Sequence, residues 1–498
     1  MKRVVVVGSG VGGLVTALLL AARGVEVVLV EKARCPGGKM REAKVDGAGI
    51  DAGPTVLTMR WVFEEIFDAV GASFADAVSL RPLGILARHA WSSGSTLDLH
   101  ADAARSADAI GRWAGAAEAQ RFLAFCAHAR RVYTALETPF LRAPAGSVFS
   151  LVRRSGWSGL PQLMSISPFV TLDEALARHF RDPRLRQLFA RYATYCGSSP
   201  FDAPATLMLV AHVEQDGVWS VEGGMQRRAE ALAQAAERRG ASLRFGDAVD
   251  EVDVDGAGAA GVRLASGERI EARAVVVNAD AQAVARGLLG APAARAVDRT
   301  PDAARSLSAV TWAMRARPEG VPLTRHNVFF SDDYRSEFDD IFVRGVVPRT
   351  PTVYVCAQDR LDDESSAGAE DDRLLCLVNA PANGDRAPME EREIEACLMR
   401  ARATMARCNL TLHEGTQSVV TTAPADFARM FPGTGGALYG RATHGWQASF
   451  ARPGSRTRIP RLYLAGGSTH PGPGVPMAAL SGRLAAASVL EDLASMRT

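Results

Sequence analysis

The strongest indication of the fold lies in residues 1–33, MKRVVVVGSGVGGLVTALLLAARGVEVVLVEKA. Two basic residues followed by a long uncharged apolar run are also typical of a secretory signal peptide or a short membrane anchor. The spacing favours a different interpretation. Gly8, Gly10 and Gly13 form G-x-G-x-x-G directly after a β-branched run, and Glu31 ends a second apolar run. Strand, tight turn, helix, strand and acid within about thirty residues predict a dinucleotide-binding βαβ unit.

Each residue of this unit has a physical role. Gly8 permits the tight turn, Gly10 lets a pyrophosphate approach the backbone, and Gly13 lets the helix pack on the strand. The N–H groups and the positive dipole end of the helix face the phosphates, and Glu31 accepts hydrogen bonds from the adenosine ribose. The alternative is a Gly-rich turn in an ordinary α/β protein.

Composition indicates a folded chain of two or three domains. A length of 498 residues exceeds one ordinary core, and 47% hydrophobic with 22% charged residues is usual for a folded protein. A net charge of +2 lacks the concentrated basic residues of a nucleic-acid binder. Seven scattered cysteines without a CxxC pattern favour a reducing compartment over a disulfide framework or a zinc site.

The residues after the acid distinguish between dinucleotides. CPGGKM places Gly38 and Lys39 in a loop, and GIDAGPTVL, with Gly53, Pro54 and Thr55, follows. Together these stretches resemble the flavoproteins that include amine oxidases and carotenoid desaturases. The resemblance implies FAD rather than NAD, with these five residues along the cofactor. Lysine stands where arginine is usual, so it supplies a point charge rather than a planar fork.

A second glycine-rich stretch, RLYLAGGSTHPGPGVPMAALSGRLAAASVLEDL, covers residues 461–493. It predicts a buried strand over 462–465, a rigid proline loop, and a helix over about 477–493 with a proline in its first turn. The helix start would direct N–H groups at the flavin ring. A Ser-Thr pair stands where many FAD enzymes carry aspartate, which leaves the ribityl contact unassigned. By the same resemblance, the cofactor-binding residues here are Gly466, Val475, Pro476 and Met477.

The middle of the chain supplies a third piece of this domain. Residues 223–280 predict a helix, a strand, a three-stranded meander and a buried strand, with turns at Asp255-Gly256 and Ser266-Gly267. In FAD domains of this type such a meander is usual, and Val249 matches a position whose backbone meets the adenine.

The expected fold class is α/β. It comprises a Rossmann-type FAD-binding domain of the amine-oxidase (GR2) kind assembled from separated segments, an α+β substrate domain and a helical, membrane-facing cap. The expected segments are FAD-binding 1–65, substrate 66–135, cap 136–216, FAD-binding 217–285, substrate 286–454 and FAD-binding 455–498.

Three further stretches narrow the family. DFARMFPGTGGALYG (426–440) and SFARPGSRTRIPRLYLAGGSTHPGPGVP (449–476) make the whole chain similar to bacterial carotenoid desaturases of the phytoene desaturase type. RYATYCGSSPFDAPATLMLVAHVEQDGVWSVEGGM (191–225) resembles the 1-hydroxycarotenoid 3,4-desaturases of purple phototrophic bacteria more than phytoene desaturases. The resemblance implies introduction of a C3–C4 double bond into 1-hydroxyneurosporene or 1-hydroxylycopene, by hydride transfer to flavin and proton loss.

Three alternatives remain open at this point. A phytoene desaturase and, more distantly, an FAD amine oxidase share the same motifs. A non-enzymatic isoprenoid-binding escort protein of the Rab escort and GDP dissociation inhibitor group shares the fold, although it needs neither the phosphate turn nor the acid after the second strand.

No side chain identifies itself as the proton acceptor. His212, Glu214 and His470 are the candidates for facing the substrate, and each is also consistent with a satisfied structural group. No metal site is expected, because the histidines lack ligand spacing and the acidic run over 359–373 lacks the pattern of a calcium loop.

Residues 139–170 predict an interfacial membrane patch, since three arginines accompany large apolar residues without any acid. The alternative is an internal helical cap with a basic rim. We therefore expect a cytoplasmic protein peripherally associated with the inner or photosynthetic membrane, with a lipid-soluble carotenoid as substrate and no nucleic-acid partner. The apolar residues are Phe140, Leu141, Phe149, Leu151, Trp157, Leu160 and Phe169.

Overall fold

The computed structural model describes residues 3–166, 169–361, 371–414 and 419–495. A first sheet of five parallel strands has β1 at its centre, in the spatial order β20-β13-β1-β2-β9, and these strands come from three separated parts of the chain. Their near-continuous β-branched runs suit a sheet covered on both faces. The strands are β1 (Arg3–Val7), β2 (Glu26–Glu31), β9 (Ser242–Phe245), β13 (Ala274–Val277) and β20 (Leu462–Leu464).

Helices cover the first sheet: α1 (Val11–Ala21), α2 (Arg60–Asp68), α10 (Gln226–Arg238) and α16 (Val475–Ser495). Helix α1 packs between α10 and α16. The approach to α16 is close, since a Cβ on Gly482 would lie 2.3 Å from the Gly12 carbonyl oxygen. The strand–helix–strand prediction for the N-terminal stretch is confirmed, and its apolar residues lie in the core.

The predicted meander is also confirmed as a three-stranded antiparallel sheet. Its turns fall at the two predicted Asp-Gly and Ser-Gly positions. The strands are β10 (Val249–Asp255), β11 (Gly258–Leu264) and β12 (Arg269–Glu271).

A second large sheet has eight strands in the order β18-β14-β17-β16-β15-β6-β7, with β19 also paired to β14. Only β6 and β15 pair in parallel among these described strands. Helix α14 (Glu391–Arg407) packs against one face and leaves the other for the interior. The strands are β6 (Ile85–Ala90), β7 (Thr96–His100), β14 (Ser308–Gly320), β15 (His326–Phe329), β16 (Val353–Ala357), β17 (Asp372–Ala380), β18 (Leu410–Glu414) and β19 (Val420–Thr422).

Smaller elements complete the described part of the chain. Two short antiparallel pairs are β3 (Glu42–Val45) with β4 (Ala48–Asp51), and β5 (Leu80–Pro82) with β8 (Trp219–Val221). The other helices are α3 (Phe74–Ala77), α4 (Ala103–Ala114), α5 (Ala116–Leu136), α6 (Val148–Ser165), α7 (Leu172–His179), α8 (Pro183–Ala190), α9 (Leu209–Gln215), α11 (Ala281–Ala285), α12 (Ala291–Ala294), α13 (Tyr334–Phe338) and α15 (Pro424–Met430).

The segment boundaries stay a proposal, with one adjustment. Helix α2 crosses residue 65, where the first cofactor segment was expected to end, so we place that boundary after the helix. None of the helices in the described part of the chain combines the length and apolar character that a membrane span requires.

Candidate active site

A mainly apolar cavity of about 590 Å³ extends from the carboxyl ends of the first sheet to the free face of the second sheet. Ligands of open parallel sheets bind at this edge. All the residues expected to bind the cofactor line the cavity except Gly13 and Met477. Gly13 instead packs α1 on β1, because a Cβ there would lie 2.1 Å from the Gly8 carbonyl oxygen.

The glycine-rich turn forms the narrow end of the cavity. Gly8 has φ +97°, and a Cβ on Gly10 would lie 2.6 Å from the Asn278 side-chain nitrogen. Among the described residues no side chain caps the first turn of α1. Its N–H groups therefore face a space that glycine keeps open, as a pyrophosphate requires.

Glu31 ends β2 beside this turn and is 8% exposed. Its Oε2 accepts hydrogen bonds from the Ser9 N–H at 2.7 Å and the Ser9 hydroxyl at 2.9 Å, and its Oε1 accepts one from the Ala33 N–H at 2.8 Å. These bonds fix the carboxylate, and a carboxylate oxygen can accept a further hydrogen bond from a ribose hydroxyl.

Lys39 is half-buried and lines the cavity. Its Nζ donates to the Leu438 carbonyl oxygen at 2.6 Å. Burial lowers the pKa of Lys39 and raises that of Asp280, while the attraction between the two residues opposes both shifts. Asp280 follows β13 and lines the cavity, and the next residue, Ala281, donates its N–H to the Ser468 hydroxyl at 2.9 Å.

The C-terminal helix begins at the same cavity. Gly466 follows β20, and Gly474 (φ +107°) leads into α16, whose first residues Val475 and Pro476 line the wall. Met477 lies outside the lining, contrary to expectation, because the helix begins two residues earlier than predicted and turns this side chain away from the cavity.

A buried cluster of polar side chains surrounds Glu214 on the substrate side. The Tyr192 hydroxyl donates to Oε2 at 2.5 Å, the Tyr195 hydroxyl donates to Oε1, and the Arg191 guanidinium lies 4.0 Å from Oε1. Burial alone would lower the pKa of Arg191, but Tyr195 and Glu214 outweigh it and raise that pKa. The cavity thus contains a fixed carboxylate charge held by one cation and two hydroxyls.

His212 and His470 lie outside the cavity lining. The His212 ring packs edge-on against Tyr133 at 4.9 Å, and the His470 Nε2 lies 2.9 Å from two carbonyl oxygens, those of Phe140 and Ala143. Both histidines have structural partners, so Glu214 is the one sequence candidate that the structure brings to the cavity.

A second carboxylate, Glu337, lines the far end of the cavity and is 1% exposed. Its Oε2 accepts hydrogen bonds from Thr352 N–H at 3.1 Å and Thr352 Oγ1 at 2.7 Å. Burial raises the pKa of Glu337 to about 7, although Thr352 and Asn379 oppose the shift. Glu337 could not be singled out from the sequence, because a single glutamate in a short helix carries no recognisable motif.

Glu337 gives the folding stability a defined pH dependence. The folded carboxyl keeps its proton up to about pH 7, whereas its ordinary pKa is 4.5. The unfolded state therefore binds fewer protons between these values, and the free energy of unfolding falls as the pH rises through them, by about 3 kcal/mol from this group. Urea unfolding from pH 4.5 to 8 should show a flatter profile for Glu337→Gln than for wild type. Parallel profiles would contradict the assignment.

The surface patch expected over 139–170 is only partly present. Arg142 forms ion pairs with Glu65 and Glu137. Phe140, Leu141 and Leu151 are buried or half-buried, so none of these four residues belongs to an exposed patch. The side chains of Trp157 and Leu160 lie outside the described residues. Phe149 and Phe169 are 77% and 76% exposed. Phe169 packs edge-on against Trp446, a residue the sequence analysis had not included.

The described residues contain no grouping of three or more His, Cys, Asp or Glu suited to a metal ion. The cavity instead presents a glycine-rich turn at a helix start, a fixed acid, a half-buried lysine and a second helix start. This set of groups suits an anionic dinucleotide, since the N–H groups at the start of α1 can meet its charged middle and one cation lies further along the same lining.

Comparisons with known proteins identify the family of this chain. The family described as "Flavin containing amine oxidoreductase" matches residues 11–490. Hydroxyneurosporene desaturase of Rubrivivax gelatinosus is 57% identical over 99% of this chain and 94% of its own. The protein of that name from Cereibacter sphaeroides is 43% identical over 99% of both chains. Phytoene desaturase of Fusarium fujikuroi is 29% identical over 99% of this chain and 90% of its own.

Solved structures support the fold. An oxidoreductase from Methanosarcina mazei has a TM-score of 0.60 at 15% identity and covers 98% of this chain and 100% of its own. Putrescine oxidase bound to putrescine has a TM-score of 0.59 at 15% identity and covers 98% and 99%. At such identity the likeness shows the fold alone.

The chain belongs to the flavin-containing amine oxidoreductase family and, within it, to the carotenoid desaturases. It is an oxidoreductase with FAD as its cofactor, which removes the escort-protein alternative. The fold class predicted from the sequence is confirmed.

Proposed function

We propose that this enzyme introduces a C3–C4 double bond into a 1-hydroxycarotenoid of the hydroxyneurosporene type. The proposal rests on a mainly apolar cavity that joins the glycine-rich turn to a buried, fixed carboxylate. An apolar wall suits a long hydrocarbon. Of the relatives reported above, the two with the highest identity are both named hydroxyneurosporene desaturase. Phytoene desaturases are more distant relatives of the chain.

For the cofactor we propose contacts along the whole lining. The turn from Gly8 to Gly10 and the N-terminus of α1 hold the pyrophosphate, Glu31 holds the ribose, and Val249 meets the adenine with its backbone. Lys39 and the start of α16 face the flavin side. We add Asp280 for the ribityl chain, since it is a half-buried acid in the lining. The remaining proposed contacts are Gly38, Gly53, Pro54, Thr55, Gly466, Val475 and Pro476.

The cofactor supplies a two-electron acceptor for hydride from the substrate. The protein supplies a dry wall that orients the polyene and keeps water from the reacting carbons. Loss of hydride leaves a positive charge that spreads along the polyene, and the neighbouring proton becomes acidic. We propose that the Glu214 carboxylate stabilises this charge and accepts that proton, which completes the double bond.

Anaerobic single-turnover experiments test this function. The FAD-loaded enzyme is mixed with vesicles that contain either 1-hydroxyneurosporene or phytoene, and the flavin absorbance is followed together with the products. Bleaching with the hydroxycarotenoid and formation of its 3,4-didehydro product support the proposal. Bleaching with phytoene alone, or with neither substrate, overturns it, and oxidation of an alkylamine under the same conditions identifies an amine oxidase instead.

We further propose that the enzyme docks peripherally on a membrane, since its substrate dissolves in lipid. The docking patch consists of Phe149, Phe169 and Trp446, with Arg153 and Arg154 exposed beside Phe149. Aromatic residues with arginines suit the headgroup region. Each phenylalanine contributes about 1.5–3 kcal/mol if fully buried, and each arginine contributes about 1 kcal/mol on anionic lipid.

Replacing both Phe149 and Phe169 by aspartate should lower the partition of the enzyme onto anionic vesicles at least about 30-fold, because apolar burial is lost and negative charge is added. Vesicle co-sedimentation measures the partition. The control is Met399→Asp, which adds one negative charge, half the charge added by the double variant, at a 63% exposed apolar residue on α14, outside the patch. Equal binding by the double variant and the control would contradict the docking patch.

A further inference from the structure

Two polar atoms at the far end of the cavity have no hydrogen-bond partner among the described residues. They are the Oε1 of Glu337 and the hydroxyl of Tyr334, and both are closed off from bulk solvent. Asn379 also acts on the Glu337 carboxyl and opposes the rise of its pKa, but Oε1 has no partner in hydrogen-bonding geometry within the described structure. An unpaired buried polar atom costs about 1–3 kcal/mol, so such a pair indicates a missing partner.

The two residues are placed to act on one group. They are three residues apart on α13, so their side chains lie on the same face of the helix. The Tyr334 ring is fixed edge-on by Phe330 at 6.1 Å and by Phe338 at 5.1 Å, and Thr352 fixes the Glu337 carboxylate from its other oxygen. The missing partner therefore meets two pre-positioned atoms.

The chemistry of the two atoms defines that partner. A carboxyl oxygen accepts a hydrogen bond and, while it carries the proton, can donate one, and a tyrosine hydroxyl can do either. An alcohol both donates and accepts, so it satisfies both atoms at once, while a hydrocarbon satisfies neither. Val328, Leu375 and Leu377 in the same lining are apolar, while the polar lining residues Thr352 and Asn379 lie beside Glu337 itself.

We propose that Glu337 and Tyr334 form a clamp that binds the C1 hydroxyl of the substrate and thereby selects hydroxylated carotenoids. The clamp rests on the proposed function. The clamp lies close to the proposed flavin contacts. Thr352, which bonds to Glu337, immediately precedes β16, and Tyr354 is two residues further along, roughly 7 Å away along the strand. The Tyr354 hydroxyl bonds to Thr55 at 2.7 Å, and Thr55 is one of the proposed flavin contacts. When the clamp holds the C1 hydroxyl beside Thr352, the C3 and C4 carbons of the substrate, a few bonds away, therefore lie near the cofactor.

Two substrates and three variants test the clamp. The substrates are 1-hydroxyneurosporene and the matching 1,2-dihydro hydrocarbon that lacks only the hydroxyl, both in vesicles. The variants are Tyr334→Phe, Glu337→Leu and the control Tyr463→Phe, which removes the same atom from a buried tyrosine on β20 outside the cavity lining. Binding is followed by perturbation of the flavin spectrum, and turnover by kcat/KM for each substrate.

We expect wild type and Tyr463→Phe to prefer the hydroxylated substrate. In Tyr334→Phe and Glu337→Leu, kcat/KM and affinity for that substrate should fall about 10- to 50-fold and should stay unchanged for the hydrocarbon. Because Tyr334→Phe leaves the fold and the FAD content intact, a retained preference in that variant overturns the clamp alone. Failure of wild type to oxidise the hydroxycarotenoid overturns the proposed function, and the clamp with it.

Discussion

Replacing Gly10 by valine is expected to yield a folded protein that binds FAD at least about 1,000-fold more weakly than wild type. The backbone at this position is ordinary, with φ −63° and ψ 168°, so any residue can adopt it. The effect therefore comes from space alone. A Cβ would lie 2.6 Å from the Asn278 side-chain nitrogen, and the γ carbons of valine fill the approach that the phosphates need. Flavin absorbance of the purified protein and a fluorescence titration with FAD measure the loss.

Gly256→Ala is the matched control for this experiment. Gly256 lies in the turn between β10 and β11, and a Cβ there meets no atom within 4 Å. This variant should retain its flavin and its affinity. If Gly10→Val is purified with a full complement of flavin, the turn does not hold the phosphates and the proposed cofactor contacts are wrong at this point.

The cofactor side could be predicted from sequence because its signals are local. The G-x-G-x-x-G turn, the apolar runs beside it and the acid at Glu31 all lie within one short stretch, and the structure reproduces them as β1, α1 and β2. The same holds for the meander, whose turns are encoded by Asp-Gly and Ser-Gly pairs. Local chemistry dictates local backbone geometry in both cases.

The substrate side could not be predicted in the same way. Three separate elements supply the polar side chains of this side: the 3-10 helix Arg191–Cys196, α9 and α13. Their residues Arg191, Tyr195, Glu214, Tyr334 and Glu337 meet only because the second sheet and the cap enclose one cavity. No spacing in the sequence predicts that these side chains lie close together. The resemblance to carotenoid desaturases pointed to the right stretch, residues 191–225, and Glu214 was a candidate within it, but nothing distinguished Arg191 or Tyr195.

The helical spacing of His212 and Glu214 distinguishes between these two candidates. His212 and Glu214 are two residues apart on α9, and residues at that spacing do not share a helix face. Only one of them can face a substrate. The structure places Glu214 in the cavity and His212 against Tyr133.

Replacing Glu214 by glutamine is expected to slow reduction of the flavin by the hydroxycarotenoid roughly 100- to 1,000-fold. Glutamine keeps the shape of the side chain and can still bond to the Tyr192 and Tyr195 hydroxyls, so the cavity and the FAD content should be unchanged. What is lost is the negative charge, which in this proposal balances the cation on the polyene and receives its proton. Anaerobic stopped-flow measurement of flavin bleaching separates this step from substrate binding.

The control for this variant is Asp216→Asn, which removes a carboxylate charge two residues away at the exposed end of α9. It should bleach at the wild-type rate. A Glu214→Gln enzyme that also bleaches at that rate would show that Glu214 only neutralises Arg191 and packs the tyrosines. A slow rate with unchanged substrate affinity instead assigns Glu214 to the chemical step, because a residue that only supports the cavity wall would weaken binding of the polyene as well.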